Sequence, residues 1–127
     1  MPARILFVDD EPEMLAAFER LFRRERPGWE MIFCGSGEAA LAELRRAPVD
    51  VVVSDLRMPV MDGATLMAAI RAEFPRTKRI VLSGYADSEL FERAWPISHL
   101  MLTKPCEHKS LRDAIVGMLD QPARAAG

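Results

Sequence analysis

Short apolar runs alternate along this chain with longer segments in which apolar residues recur every three or four positions, and the two periods predict different elements. The runs at 3–9 (ARILFVD), 29–35 (WEMIFCG), 50–55 (DVVVSD), 78–83 (KRIVLS) and 99–104 (HLMLTK) predict five strands. The third has no polar face before Asp55, so as a strand it must be covered on both sides, as in a parallel sheet packed between helices. The segments between have helical spacing. Met14, Leu15, Phe18, Leu21 and Phe22 share one face of a helix over 11–26, which Pro27-Gly28 stops. Ser36 reads as the N-cap of a second helix with Leu41 and Leu44 inward and Pro48 at its end. Asp62 caps a third, whose buried face is Leu66, Met67, Ile70 and Phe74 and which Pro75 closes. A short fourth helix is expected from about Asp87 to Trp95, cut by Pro96, and a fifth carries Leu111, Ala114, Ile115, Met118 and Leu119.

Five strands alternating with five helices define an α/β domain with a parallel sheet. Right-handed crossovers then favour a doubly wound, flavodoxin-like (βα)5 sheet of strand order 2-1-3-4-5. The expected domain spans 1–120, with 121–127 a tail or linker. A chain of 127 residues that is 50% apolar and 28% charged is long enough for one core and too apolar to be disordered. Its 17 basic and 19 acidic residues give a net charge of -2, which argues against a nucleic-acid-binding domain. The N-terminus, MPARILFVDD, draws neither a signal peptide nor a membrane span, so a cytoplasmic protein is expected. Cys34 and Cys106 lie far apart without ligand spacing and read as free thiols. His99 and His108 complete no zinc pattern with them; the first reads as a loop or strand-edge residue, the second as an early helical surface residue.

The chemistry gathers where the strands end. In open α/β sheets ligands bind beyond the carboxyl ends of the strands, where the strand order reverses. That edge carries Asp9 and Asp10 after the first strand, Asp55 after the third, Ser83 after the fourth and Lys104 after the fifth. Crowded carboxylates repel one another, and a hard divalent cation with oxygen ligands offsets the repulsion; Mg²⁺ takes one or two carboxylates, keeps waters and completes its shell with phosphate oxygens. Lys104 adds a compact positive charge and Ser83 a hydroxyl donor. Asp55 between them is sited as a nucleophile that accepts a phosphoryl group as an aspartyl phosphate. The Leu-Arg-Met-Pro turn that follows carries a main-chain carbonyl past the metal.

The motifs VDDEP (8–12), SDLRMPVMDG (54–63), LSGYAD (82–87) and LTKPC (102–106) resemble the receiver domain of bacterial two-component response regulators, and the resemblance runs from about Arg4 to Leu119. It implies that Asp55 is the phosphoacceptor from a histidine kinase or phosphotransfer protein, and that Asp10 binds Mg²⁺ directly, Asp9 through water, and Arg57 by its carbonyl. It further implies that Ser83 is the switch hydroxyl, that Lys104 holds the phosphoryl group, and that the Lys104-Pro105 peptide is cis. Such a domain assists its own phosphorylation and dephosphorylation rather than turning over a substrate. The partners expected with it are a fused or separate output domain and a homodimer, with no direct contact to nucleic acid or membrane. LSGYAD and the KPC turn look more like receivers joined to HD-type or HDOD-type modules than like those joined to DNA-binding domains.

Two positions depart from the family pattern. The aromatic residue usually three places before the lysine is Met101 here, either a core residue or a gap in the switch relay, with Tyr85 as the substitute moving aromatic. WPISH replaces the usual Gly-Ala pair before the fifth strand, which alters the expected output face. Arg57 and Tyr85 flank the site and are expected to shield the phosphoryl group from water. Other readings compete. CGSGEAA imitates a dinucleotide fingerprint, but follows the second strand and leaves the acidic set unexplained. A small Mg²⁺-dependent phosphohydrolase with an aspartyl nucleophile would ordinarily carry a second acid where Arg57 stands. A receiver-like module that only binds partners is the third alternative. The arginines at 20, 23, 24 and 26 read as a solvated helical face, with kinase docking as the minority alternative.

Overall fold

A computed structural model describes residues 2–84 and 88–121. The order is β1 (Arg4–Val8), α1 (Pro12–Glu25), β2 (Glu30–Cys34), α2 (Gly37–Arg46), β3 (Val51–Asp55), α3 (Gly63–Glu73), β4 (Lys78–Ser83), α4 (Ser88–Ala94), a 3₁₀ turn (Trp95–Ile97), β5 (Leu100–Thr103) and α5 (His108–Asp120). All strand pairs are parallel and the sheet order is β2-β1-β3-β4-β5, the flavodoxin-like (βα)5 arrangement expected from the strand and helix pattern. Tyr85, Ala86 and Asp87, hence the expected start of the fourth helix, lie outside the described residues, as do 122–127 of the expected tail.

Strand alternation sorts the apolar residues onto two faces. Ile5, Phe7, Val51, Val53, Ile80 and Leu82 pack with Phe18 and Phe22 of α1 and Leu111 and Ile115 of α5. Leu6, Val8, Val52 and Val81 pack with Leu41 and Leu44 of α2 and Leu66, Met67 and Ile70 of α3. The central strand is therefore buried along its whole length, as its unbroken valines require. Met101, half-buried, packs against this second cluster.

The capping signals hold. Ser36 Oγ accepts from the Ala39 amide at 3.1 Å, and Asp62 Oδ1 from the Thr65 amide at 2.8 Å. The α-helix α4 ends at Ala94, just before Pro96, as expected of a proline that cuts it. Pro96 itself sits in the 3₁₀ turn that follows α4, where a missing amide hydrogen at the start of a short helix costs nothing. His99 lies in the turn before β5, and its Nδ1 accepts the Arg79 amide at 2.9 Å. Burial, with the charges of Arg79 and Lys78, pushes its pKa down to about 4. His108 opens α5 on the surface, with Nε2 3.2 Å from Glu25, which also receives Arg112 at 2.8 Å and so ties α1 to α5. Arg20, Arg23, Arg24 and Arg26 are exposed, as a solvated face requires.

Two glycines let helices close on the sheet edge. A Cβ on Gly37 would reach 3.0 Å from Met61 Cγ, so the glycine in the nucleotide-like CGSGEAA stretch serves the packing of α2 against the β3–α3 loop. A Cβ on Gly63 would collide with the Asp55 carbonyl oxygen and lie 2.7 Å from Leu56 Cα. The Gly63 amide donates to the Leu56 carbonyl at 2.7 Å, so the first turn of α3 is clamped onto the backbone that carries Asp55.

Because the obstacle is backbone, Gly63→Ala should destabilise the fold by at least about 2 kcal/mol in urea unfolding, at the upper end of overpacking costs. An unchanged midpoint would show that this clamp is loose.

Candidate functional site

Asp55 is the last residue of β3, and its side chain is almost fully buried. β3 and β4 pair in register through Asp55 and Leu82, while the Lys104 amide donates to the Ser83 carbonyl at 2.7 Å. That bond fixes the residue following β5 beside the end of β4. From there Lys104 reaches across to Asp55, Nζ to Oδ2 at 3.2 Å. The Lys104-Pro105 peptide is cis, as the family resemblance implies.

Alternation explains which side chains meet. Positions 5 and 7 in β1, 51 and 53 in β3, and 100 and 102 in β5 face α1 and α5. Continuing the period places Asp9, Asp55 and Lys104 on that side and Asp10 on the other. Asp9 is 2% exposed and Asp10 is exposed. The carboxylates whose oxygens lie within 4.8 Å of one another are Asp9, Glu11 and Asp55, so among the described residues Glu11 stands where Asp10 was expected. Sequence reasoning missed Glu11, although the same two-residue period from Asp9 points to it.

The electrostatics are strained in a definite direction. Two carboxylates this close repel by about 3 kcal/mol at an effective dielectric near 20. Burial, reinforced by Asp55 and Glu11 and opposed by the Glu11 amide and Lys104, pushes the Asp9 pKa up to about 6. The Glu11 amide donates to Asp9 Oδ1 at 2.9 Å. Burial also pulls on the Lys104 ammonium, but Asp55, with Asp9 and Glu11 behind it, outweighs this and holds it above the usual lysine value. Three carboxylates face one ammonium, which leaves two negative charges unmatched within the group at neutral pH.

The donor set fits Mg²⁺. All three are hard oxygen donors, and oxygens on opposite sides of an octahedral Mg²⁺ lie roughly 4.2 Å apart, within the span seen here. Asp9 and Asp55 are buried and Glu11 is exposed, so the cluster opens on one side to water and to an incoming phosphate. Ser83 is buried at the end of β4, and Arg57 is exposed in the loop after β3. Tyr85 lies outside the described residues, so its expected part in shielding and switching is not placed.

A doubly wound parallel sheet with an acidic cluster and a lysine at its carboxyl edge places hard oxygen donors and a cation where open α/β sheets bind their ligands. The particular family follows from comparison: the response regulator receiver domain model matches residues 5–116, and the chain belongs to that family. It is 35% identical over 127 residues to the transcriptional regulatory protein GlrR of Escherichia coli K12, covering 98% of this chain and 28% of that protein. Its fold resembles the signal receiver domain of an HD domain-containing protein from Pseudomonas fluorescens Pf-5, with a TM-score of 0.86 and 30% identity over 94% of this chain and 88% of that one. A CheY-like receiver domain protein from Methanospirillum hungatei JF-1 gives a TM-score of 0.87 and 25% identity over 94% and 95% of the two chains. The chain thus spans less than a third of the length of GlrR. Among the described residues no helix is long and apolar enough to cross a membrane.

Folded Asp9 keeps its proton up to about pH 6, whereas an unfolded aspartate releases it near 3.8. The stability Asp9 lends is therefore intact below pH 3.8 and lost as pH rises through about 6. With a chelator present at pH 8, Asp9→Asn should be more stable than the parent by on the order of 2 kcal/mol, with the gap closing below pH 4. Denaturant midpoints across pH would check this, and a variant less stable than its parent at pH 8 would contradict it.

Proposed function

We propose that this receiver takes a phosphoryl group onto Asp55 from a phosphohistidine of a histidine kinase or phosphotransfer protein, and that the aspartyl phosphate drives a change of conformation read by an output domain. The observation that carries the reading is the Lys104–Asp55 pair, 3.2 Å apart, set into the acidic cluster. One Asp55 oxygen attacks phosphorus; the oxygen–phosphorus bond forms as the phosphorus–nitrogen bond to the donor imidazole breaks, and the imidazole leaves with the electron pair. Lys104 passes from the carboxylate to the phosphoryl oxygens, where its charge offsets theirs. Bound Mg²⁺ supplies further charge neutralisation at those oxygens.

Asp55 and the Arg57 carbonyl would hold that ion, with Asp9 contributing through water. Asp10, exposed beside the cluster, joins as a direct ligand if its side chain turns inward when the ion binds. Ser83, buried at the end of β4, offers its hydroxyl to the phosphoryl group and so transmits its presence to the α4 side. Met101 packs in the core beside α3 and α4 and fills the place of the usual aromatic, leaving Tyr85 as the candidate moving ring. An output region fused to or recruited by the chain completes the reading, in keeping with the longer regulator and the HD domain-containing protein it resembles.

With acetyl phosphate and Mg²⁺, intact-mass measurement should show one phosphoryl group per chain, absent from Asp55→Asn and after chelation. Lys104→Ala should slow uptake by about a hundredfold, as expected for removal of a preorganised charge. Equal labelling of Asp55→Asn would remove the assignment, and continuous multi-turnover hydrolysis of phosphate esters would favour a phosphohydrolase.

A further inference from the structure

We propose that Glu11 is a third carboxylate of the magnesium site, holding the ion's water shell and setting its affinity. This rests on the metal-assisted reading above and adds to it a residue that the receiver motif does not assign.

Glu11 occupies the N-cap of α1, with φ -97° and ψ 109°, and Pro12 follows it. N-cap positions favour Ser, Thr, Asp or Asn, whose short side chains accept from the next amides. Glu11 makes no such side-chain cap. Its main-chain carbonyl accepts from Met14 and Leu15, and its amide is held by Asp9, so the backbone is fixed from both sides. The carboxylate instead extends over the site, where one of its oxygens lies within 4.8 Å of oxygens of both Asp9 and Asp55. Helix capping gains nothing from this placement, and repulsion from two buried carboxylates opposes it. Lys104 supplies one positive charge against three carboxylates, and a divalent cation would supply the rest.

Charge and helix direction point the same way. The amino end of α1 projects a partial positive charge toward the site, which opposes a bound cation. An acid at the N-cap, exposed to water yet near Asp9 and Asp55, offsets that field at the mouth of the pocket. Glu11 also acts on Lys104, whose ammonium it helps to keep charged. Its flexible side chain suits contact through metal-bound water, and loss of a partner of this kind typically weakens metal affinity by about 10- to 100-fold.

Calorimetric titration of the full chain with Mg²⁺ alone, supported by the Mg²⁺-induced rise in melting temperature, separates the outcomes. Glu11→Gln should bind Mg²⁺ about tenfold more weakly than the parent while melting cooperatively without metal. Glu13→Gln, which removes an acid from the same first turn but outside the cluster, should bind as the parent does. Equal Mg²⁺ affinity for Glu11→Gln and the parent would overturn the proposal and leave the phosphoacceptor reading standing. Equal weakening by Glu13→Gln would overturn it as well, because the effect would then be the general field of the helix. A parent chain that takes up no Mg²⁺ would overturn both readings together.

Discussion

The ion pair between buried Asp55 and half-buried Lys104 is the constraint around which the carboxyl edge of this sheet is arranged. A carboxylate at the end of a strand covered on both faces is costly to keep charged unless a partner is brought to it. The partner arrives from β5, two strands away in the sheet order, and it arrives because the Lys104 amide is tied to the end of β4. On the other side, Gly63 lets α3 close against the Asp55 carbonyl, so the backbone of Asp55 is held as well as its side chain. Val60, in the intervening loop, adopts φ 67° while 94% exposed, a conformation that a β-branched residue enters only when the loop around it is fixed at both ends.

The pair does not neutralise its surroundings. Asp9 and Glu11 bring two more carboxylates to the same place, and the Asp9 pKa is raised first by burial and then by the charges of Asp55 and Glu11. Without a further cation the edge of the sheet carries an unbalanced negative charge that opposes folding. On the reading proposed above, a divalent cation would relieve the repulsion and, with Lys104, offset the charge of a phosphoryl group on Asp55. The same arrangement accounts for a chain that resembles the receiver portions of proteins with different outputs. The acidic cluster and Lys104 sit at the strand ends, away from the outer faces of the helices.

Much of this was legible in the sequence because each signal had one physical cause. The unbroken valines before Asp55 required a strand covered on both faces, and Ser36 and Asp62 began helices because their oxygens accept the orphan amides. The convergence of Asp9, Asp55, Ser83 and Lys104 on one edge followed from the sheet order. What escaped was finer than element pattern. Adjacent Asp9 and Asp10 were expected to act together, yet consecutive residues leave a strand toward opposite sides, and Glu11 rather than Asp10 lies with Asp9. Pro96 ends the α-helix as its sequence signal requires, but the 3₁₀ turn that carries the chain on to β5 has no pattern of its own. The pairing of His99 with the Arg79 amide joins two strands and leaves no trace in local pattern.

The central claim is that Asp55, supported by Lys104 and a divalent ion, is where this protein receives a phosphoryl group. Fluorine NMR of the chain mixed with beryllium fluoride, a non-hydrolysable mimic of that group, tests it most directly. The account predicts protein-bound fluoride resonances that require Mg²⁺ and vanish in Asp55→Asn. The same resonances in Asp55→Asn would contradict it.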